Sequence, residues 1–378
     1  MPRPGHEAVL LVTGYPSAYA RAMIAQILTA EPGALVYVLV PPAAAAAGAS
    51  PGLDLPLAQR ERVIPIEGDP SSIDLGLSGA ELRQLSREID RIHHVAHVGS
   101  VGVEKRVAHN VNVVGAAEIL ELSRVTSHLS CLVFHSTANV SGDRTGVVYE
   151  DDLDRGQTFR SEVDETRKRA ESLIRRAMPE VPIAVVRPTI LVGDVSADGQ
   201  EALEGLYLLI LLILATPADL AIPFPGKGES PLNIVPLDYV VRAAHAIGRH
   251  PGAPGRTFHL ADRSPLSVRS VLDLVARTGG RRTTRGQIPS SLARALLHTP
   301  GIDRVIRNPR AFVEQLTSAV RYDTRSTDQT LEGLGITCPP FESYVGSLVE
   351  VVQARIKGDS RVPGAPEEED SEVDDPLS

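Results

Sequence analysis

Through the first 190 residues, short aliphatic runs alternate with stretches of helical period, and few folds accept such a rhythm. Ala8–Thr13, Leu35–Val40, Arg62–Ile66, Arg91–Val95, Cys131–His135 and Ile183–Val186 are largely apolar runs of four to six residues. Between them Ala18–Leu28, Ala80–Ile89, Lys105–Arg124 and Val163–Met178 read as helices. Apolar strands separated by helices indicate βαβ units, whose parallel sheet is covered on both faces. The expectation is an α/β fold: a Rossmann-type doubly wound parallel sheet, with a smaller, mostly helical C-terminal substrate-type domain. Such a sheet takes its ligand at the carboxyl ends of the strands, where the strand order reverses.

After Pro188 the rhythm changes. A very apolar helix around Leu203–Ala215 leads into a Pro/Gly-rich loop from Pro223. Asn233–Val235 and the helix from Asp238 are expected to return to the sheet, and Thr257–Leu260 to add one more strand. The expected division is a nucleotide-binding-type domain over 1–262, with 191–228 contributing to a substrate lobe. A smaller lobe follows over 263–356, then a disordered acidic tail over 357–378. Seven acidic residues lie between Glu367 and Asp375, so of the net charge of −9 only −2 belongs to the rest of the chain. With no basic excess to grip a phosphate backbone, nucleic-acid binding is excluded from the expectations.

Two cysteines, Cys131 and Cys338, suit a reducing compartment. The N-terminus lacks a signal-peptide pattern, and the longest apolar run, Leu206 to Ala215, is about half of a membrane span. A cytoplasmic setting without a membrane span is expected. Leu206–Ala215 is apolar all round and reads as a buried helix beneath a cleft for a hydrophobic small molecule; a homodimer contact is the alternative. The tail reads as a solvated element, with a protein partner as the alternative.

The first strand runs into Thr13-Gly-Tyr-Pro-Ser-Ala-Tyr-Ala20. Further on come Glu67-Gly-Asp-Pro70, Ile92-His-His-Val-Ala96, Asn112-Val-Val-Gly115 and His135-Ser-Thr-Ala-Asn-Val-Ser-Gly142. Val186-Arg-Pro-Thr-Ile-Leu-Val-Gly193 and Asn233-Ile-Val-Pro-Leu-Asp-Tyr239 follow. In this order and spacing the chain resembles the extended short-chain dehydrogenase/reductases, in the branch of thioester reductase and fatty acyl-CoA reductase domains. The resemblance implies a nicotinamide cofactor, NADP or NAD, near Thr13, Gly14, Ser17, Ala20, Asp69, Ala96, His97 and Pro188. It also implies a Ser/Thr at Thr137 for the substrate carbonyl and an Asn at Asn112.

The departures matter more. The family opens Thr-Gly-x-x-Gly-x-x-Gly, in which the later glycines admit the pyrophosphate and the packing of helix on strand. Here those positions are Ser17 and Ala20, and Pro16 removes an N–H that could face a phosphate. After Val40 no acid appears before Asp54 and no base before Arg60, so neither NAD nor NADP is selected at the ribose. Asp69, an adenine contact in relatives, could equally close a turn. Aligning Ala170-Glu171 with the Ala-Glu after the family's catalytic Lys puts Val163 where the general-acid Tyr belongs and Arg167 in place of the Lys. None of the eight tyrosines has Lys or Arg four residues later. Valine has no proton to give. His97 replaces a small residue beside the cofactor; His94, His97 and His135 could meet at the strand ends, but without Cys or carboxylate at zinc-like spacing no metal is expected.

The expectation is therefore a reductase-like protein that has lost Tyr/Lys hydride transfer, binds cofactor weakly or not at all, and serves in binding, regulation or scaffolding. That reading predicts no other ionisable hydroxyl near Thr137. The alternative is an NAD(P)H-dependent reductase of acyl thioesters or related carbonyls with a non-standard acid; a second is an NAD(P)H-binding redox sensor.

Overall fold

The computed structural model describes residues 6–52, 55–97, 103–159, 161–193, 206–215, 228–281 and 318–359. Seven strands form one wholly parallel sheet: β1 (Ala8–Thr13), β2 (Ala34–Val40), β3 (Val63–Glu67), β4 (Arg91–His94), β5 (Cys131–His135), β7 (Ile183–Pro188) and β10 (Thr257–Leu260). Their spatial order is β3-β2-β1-β4-β5-β7-β10, so the order reverses between β1 and β4. The crevice that this reversal opens lies at the carboxyl ends of those two strands. The expected Rossmann-type architecture is observed.

Because side chains alternate along a strand, each strand feeds two layers. On β5, Cys131 and Val133 enter the layer under α1 (Ala18–Ala30), while Leu132 and Phe134 enter the opposite one. Helix α1 buries Tyr19, Ala20, Met23, Ile24, Ile27 and Leu28, a stripe at helical spacing, and each large member contributes about 1.5–3 kcal/mol. The short helices α2 (Pro42–Ala46) and α3 (Leu57–Arg60) bury nothing. Helix α4 (Gly79–Glu88) opens with a capping box between Ser78 and Glu81. The helix expected over 105–124 is broken by a π-helical turn, Asn110–Val114, between α5 (Lys105–His109) and α6 (Gly115–Val125). Helix α7 (Glu162–Ala177) lies beside α6.

Beyond β7 the structure departs from expectation. Pro188 has no N–H to extend the ladder, and after it the chain forms β8 (Ile190–Val192). Ile234–Pro236, β9, pairs in parallel with β8 and does not rejoin the main sheet. Helix α9 (Leu237–Arg249) does return, packing beside α1 over β5. The apolar helix α8 (Leu206–Ala215) buries Ile210 and Ile213 in a third core with α10 (Val268–Thr278) and the final helix α12 (Val345–Asp359). A ribbon not foreseen joins β6 (Gly146–Val148) to β11 (Val320–Tyr322), just before α11 (Arg325–Leu331). Helix α12 continues to Asp359, into the expected tail; the acidic run itself, 223–227 and 282–317 lie outside the described residues. No helix among the described residues is long and apolar enough to cross a membrane.

Candidate active site

At the crevice, Gly14 has φ +92°, and a Cβ there would lie 2.8 Å from the Ala96 amide nitrogen. Only glycine lets the two strand ends come this close. The Thr13 hydroxyl ties them together, accepting from the Ala96 N–H at 3.3 Å and lying 3.0 Å from His94 Nδ1. Ser17 is the N-cap of α1, and its Oγ accepts from the Ala20 N–H at 3.2 Å. Its side chain is thus folded onto the helix. The Ser17 N–H is taken by the Gly14 carbonyl at 3.0 Å and that of Ala20 by Ser17 Oγ, which leaves the amides of Ala18 and Tyr19 at the start of α1 as donors for a pyrophosphate. A dinucleotide fits this end of the site. The ribose end offers less: Val40 is followed by the helix Pro42–Ala46, and the Asp69 Oδ1 accepts from the Ser71 N–H and hydroxyl at 2.8 and 2.7 Å, closing a turn. Pro188 ends β7 beside Leu260, two strands from the crevice.

Val163 and Arg167 stand one turn apart on α7, as the alignment requires. Val163 is buried at the capped start of that helix, where Ser161 Oγ accepts from its N–H at 3.1 Å. Arg167 Nη2 donates to the Ser136 carbonyl at 2.8 Å, which holds the guanidinium against the end of β5. Asn112, turned inward by the π-helical turn, donates to Thr166 Oγ1 at 2.9 Å and so faces α7. Thr137 Oγ1 accepts from the Asn139 N–H at 3.3 Å, which leaves its own proton free to donate. Ser136 donates to Glu171 at 2.5 Å and is committed to a structural network.

The site contains one group that the motif comparison missed. Tyr19, on the first turn of α1, has its hydroxyl 2.7 Å from His135 Nδ1, and its ring meets His97 edge-on at 6.5 Å. Burial raises this hydroxyl well above the usual tyrosine range, and the charge of Arg167 acts in the opposite sense. Burial also pulls Arg167 down to about 10, opposed by Asp164, Tyr19 and Glu171. A second such group, the Tyr322 hydroxyl, lies 3.3 Å from the carbonyl of Ala138, the residue after Thr137, so the expectation of no other ionisable hydroxyl near Thr137 is corrected. A sequence signal existed: Tyr19 falls on the buried stripe of α1, and a buried phenol must find a polar partner.

The three histidines do gather at the strand ends, yet each has its own partner. His94 turns to Thr13 and stacks on Phe134, His97 bonds the Val95 carbonyl at 2.7 Å, and His135 bonds Tyr19. Burial lowers His94 and His135 to about 3 and His97 well below the ordinary range, so all are neutral at pH 7. Among the described residues no three ligand-type side chains converge as a metal site.

The NAD-binding family described as Male sterility protein matches residues 12–244, from the end of β1 into α9. The chain belongs to this family. Among curated relatives it is 22% identical over 346 residues to "Probable fatty acyl-CoA reductase 4" of Arabidopsis thaliana, covering 72% of this chain and 70% of the relative. It is 22% identical over 281 residues to "Fatty acyl-CoA reductase 1" of the same plant, covering 60% of this chain and 57% of that protein. The terminal R domain of the myxalamid PKS-NRPS pathway superposes with a TM-score of 0.76 at 21% identity, covering 97% of this chain and 94% of that one. The reductase domain of the aureusimine cluster superposes at 0.71 with 16% identity, covering 94% and 92%. The family model thus covers the strand end that carries Gly14, and the superposed structures share the Rossmann-type fold.

Proposed function

We propose that the chain is an NAD(P)H-dependent reductase of acyl thioesters or related carbonyls whose proton donor has moved from α7 to α1. The observation that carries this reading is the Tyr19 hydroxyl, an ionisable group 2.7 Å from His135 Nδ1 at the end of β5, where the charge of Arg167 favours the phenolate against the larger effect of burial. The relatives support it as well, since those named are reductases of fatty acyl-CoA. A reduced nicotinamide, when bound, supplies hydride to the carbonyl carbon. The Gly14 turn and the Ala18 and Tyr19 amides of α1 would hold its pyrophosphate, and Thr137 would donate a hydrogen bond to the carbonyl oxygen. Tyr19 then gives that oxygen its proton while Arg167 holds the charge left behind. Tyr19 carries its proton at pH 7, as a donor must, and the bound substrate and cofactor would have to bring it down from the high range that burial imposes before it gives that proton readily. With no ribose-selecting charge after β2, NADPH and NADH are expected to bind alike.

A second reading, a binding or regulatory protein without turnover, is favoured by Val163. Titration with NADPH and NADH by cofactor fluorescence, followed by octanoyl-CoA, separates the readings. The expected result is binding, then oxidation of cofactor, with Tyr19→Phe lowering kcat by on the order of 100-fold while cofactor affinity is kept. Binding without oxidation leaves a sensor, and no binding leaves a scaffold.

A further inference from the structure

A threonine hydroxyl turns among staggered rotamers, so Thr137 can stabilise a carbonyl oxygen only if its Oγ1 is held in one direction. The contact that holds it is the Asn139 N–H, which donates to Thr137 Oγ1 at 3.3 Å and makes Thr137 the cap of the tight turn Ala138–Ser141. That N–H shares one peptide unit with the Ala138 carbonyl. At the other end of the same unit, the Tyr322 hydroxyl donates to the Ala138 oxygen at 3.3 Å. A peptide unit is planar, so its two ends cannot turn separately. Thr137 and Tyr322 therefore grip one rigid plate from opposite edges.

The donors along this path all run in one sense. The single proton of the phenol goes to the Ala138 carbonyl, which can only accept. Ser141 Oγ, 3.2 Å from the same phenol oxygen, is then the donor to Tyr322. The order is Ser141 hydroxyl, Tyr322 hydroxyl, Ala138–Asn139 peptide, Thr137 hydroxyl. Hydrogen bonds in series polarise one another, so each donor in the row strengthens the next. Burial raises Tyr322 above its ordinary range, opposed by the bond to Ser141, and the phenol keeps its proton at pH 7.

A second observation is independent of the first. The parallel ribbon that carries Tyr322 buries Val148 alone among its six strand residues, so its own packing gives little reason for it to form. What it does is fix the phenol. Tyr322 pairs with Val148, whose carbonyl accepts from the Asp323 N–H at 2.9 Å. The Tyr322 ring meets His259 edge-on with centroids 5.2 Å apart, and His259 is itself held by the Asp323 carbonyl at 2.8 Å and Arg187 at 3.2 Å.

We propose that Tyr322 is a positioning residue for Thr137: it fixes the Ala138–Asn139 peptide and thereby aims and strengthens the Thr137 hydroxyl toward the carbonyl oxygen under reduction. The inference rests on the reductase reading. As hydride reaches the carbonyl carbon, negative charge gathers on that oxygen, and a donor already aligned meets it without reorganisation. No proton passes along the row, which works by orientation and polarisation alone.

The test compares Tyr322→Phe, Thr137→Val and the double variant in the full chain with NADPH and octanoyl-CoA. Thr137→Val is expected to lower kcat by on the order of 100-fold, as loss of one donor to a developing oxyanion does. Tyr322→Phe keeps the ring against His259 and should lower kcat by about 10-fold, with KM for octanoyl-CoA and NADPH affinity unchanged. In the double variant the Tyr322 change should add nothing to the loss from Thr137→Val. Ser141→Ala weakens the same row while leaving the ribbon alone, and a loss of about threefold in kcat is expected. In NMR without cofactor, Tyr322→Phe should move the Asn139 amide proton upfield and leave that of Glu81, capped by Ser78, in place. Losses that multiply in the double variant, an unchanged kcat in Tyr322→Phe, or a stationary Asn139 amide each overturns the positioning role while the reductase reading stands. No turnover by the unmodified chain sinks the reductase reading, and the role in reduction falls with it.

Discussion

Two buried polar networks flank β5, and they are built on opposite plans. In the first, Arg187 is fully buried and its Nε donates to both carboxylate oxygens of Glu171 at 3.1 and 3.0 Å. Arg187 Nη1 lies 3.2 Å from His259 Nε2, while His259 Nδ1 is 2.8 Å from the Asp323 carbonyl. A carbonyl on one side and a guanidinium on the other permit a single tautomer, with the proton on Nδ1. Glu150 is as fully used, accepting from the amides of Ser326, Thr327 and His259 at 2.6, 3.1 and 3.1 Å. In the second, Tyr19, His135 and His93 can hold their protons in either direction, and His93 Nε2 lacks a partner. The first network admits one arrangement of its protons, and the second admits two.

The comparison breaks first at Glu171. Glu171→Ala strands the Arg187 charge in the interior, and chemical denaturation is expected to show a loss of about 3–5 kcal/mol. A loss near zero would mean that the first network carries no structural weight. His259→Phe deletes two engaged nitrogens and should cost about 1–3 kcal/mol at pH 7. His245→Phe removes two nitrogens without partners, so the same measurement should register less than about 1 kcal/mol. An equal cost at both positions would erase the distinction.

Acid sharpens it. Burial lowers His259 to about 3 and His245 to about 4 from the ordinary 6.5. Since the unfolded chain takes up these protons first, the stability they contribute is intact above pH 6.5 and is lost as pH falls toward 4 and then 3. Each Phe variant should flatten denaturation midpoints across that window by up to about 1.4 kcal/mol per pH unit. His245→Phe should thus equal the unmodified protein at pH 7 and surpass it at pH 5, whereas His259→Phe starts from a deficit.

The sheet was legible because its strands are unbroken apolar runs. Cys131–His135 and Thr257–Leu260 occupy the residues their side chains mark out. β11 was not, since Val320–Tyr322 is three residues long, half exposed, and acquires its partner from far along the chain. Ile234–Pro236 reads like a sheet strand, and only the break after Pro188 explains why it pairs elsewhere. At the site, local spacing revealed what was missing at Val163 and Arg167. It could not reveal the partners of Tyr19, since Arg167 sits on another helix and His135 at the end of a strand. Motif spacing records partners one helical turn apart and is blind to partners joined by packing.

The β6–β11 ribbon has a bearing on how the chain matures. Val320 pairs with Gly146, and the Tyr322 hydroxyl reaches Ser141 Oγ at 3.2 Å and the Ala138 carbonyl at 3.3 Å, in the turn that follows Thr137. All seven strands of the sheet are complete by Leu260, so the sheet can assemble on the ribosome before this clasp is synthesised. A nascent chain halted between those points would own a finished crevice and an untethered Thr137 turn. The tether on the Thr137 turn thus comes from a segment made only after the sheet that it serves.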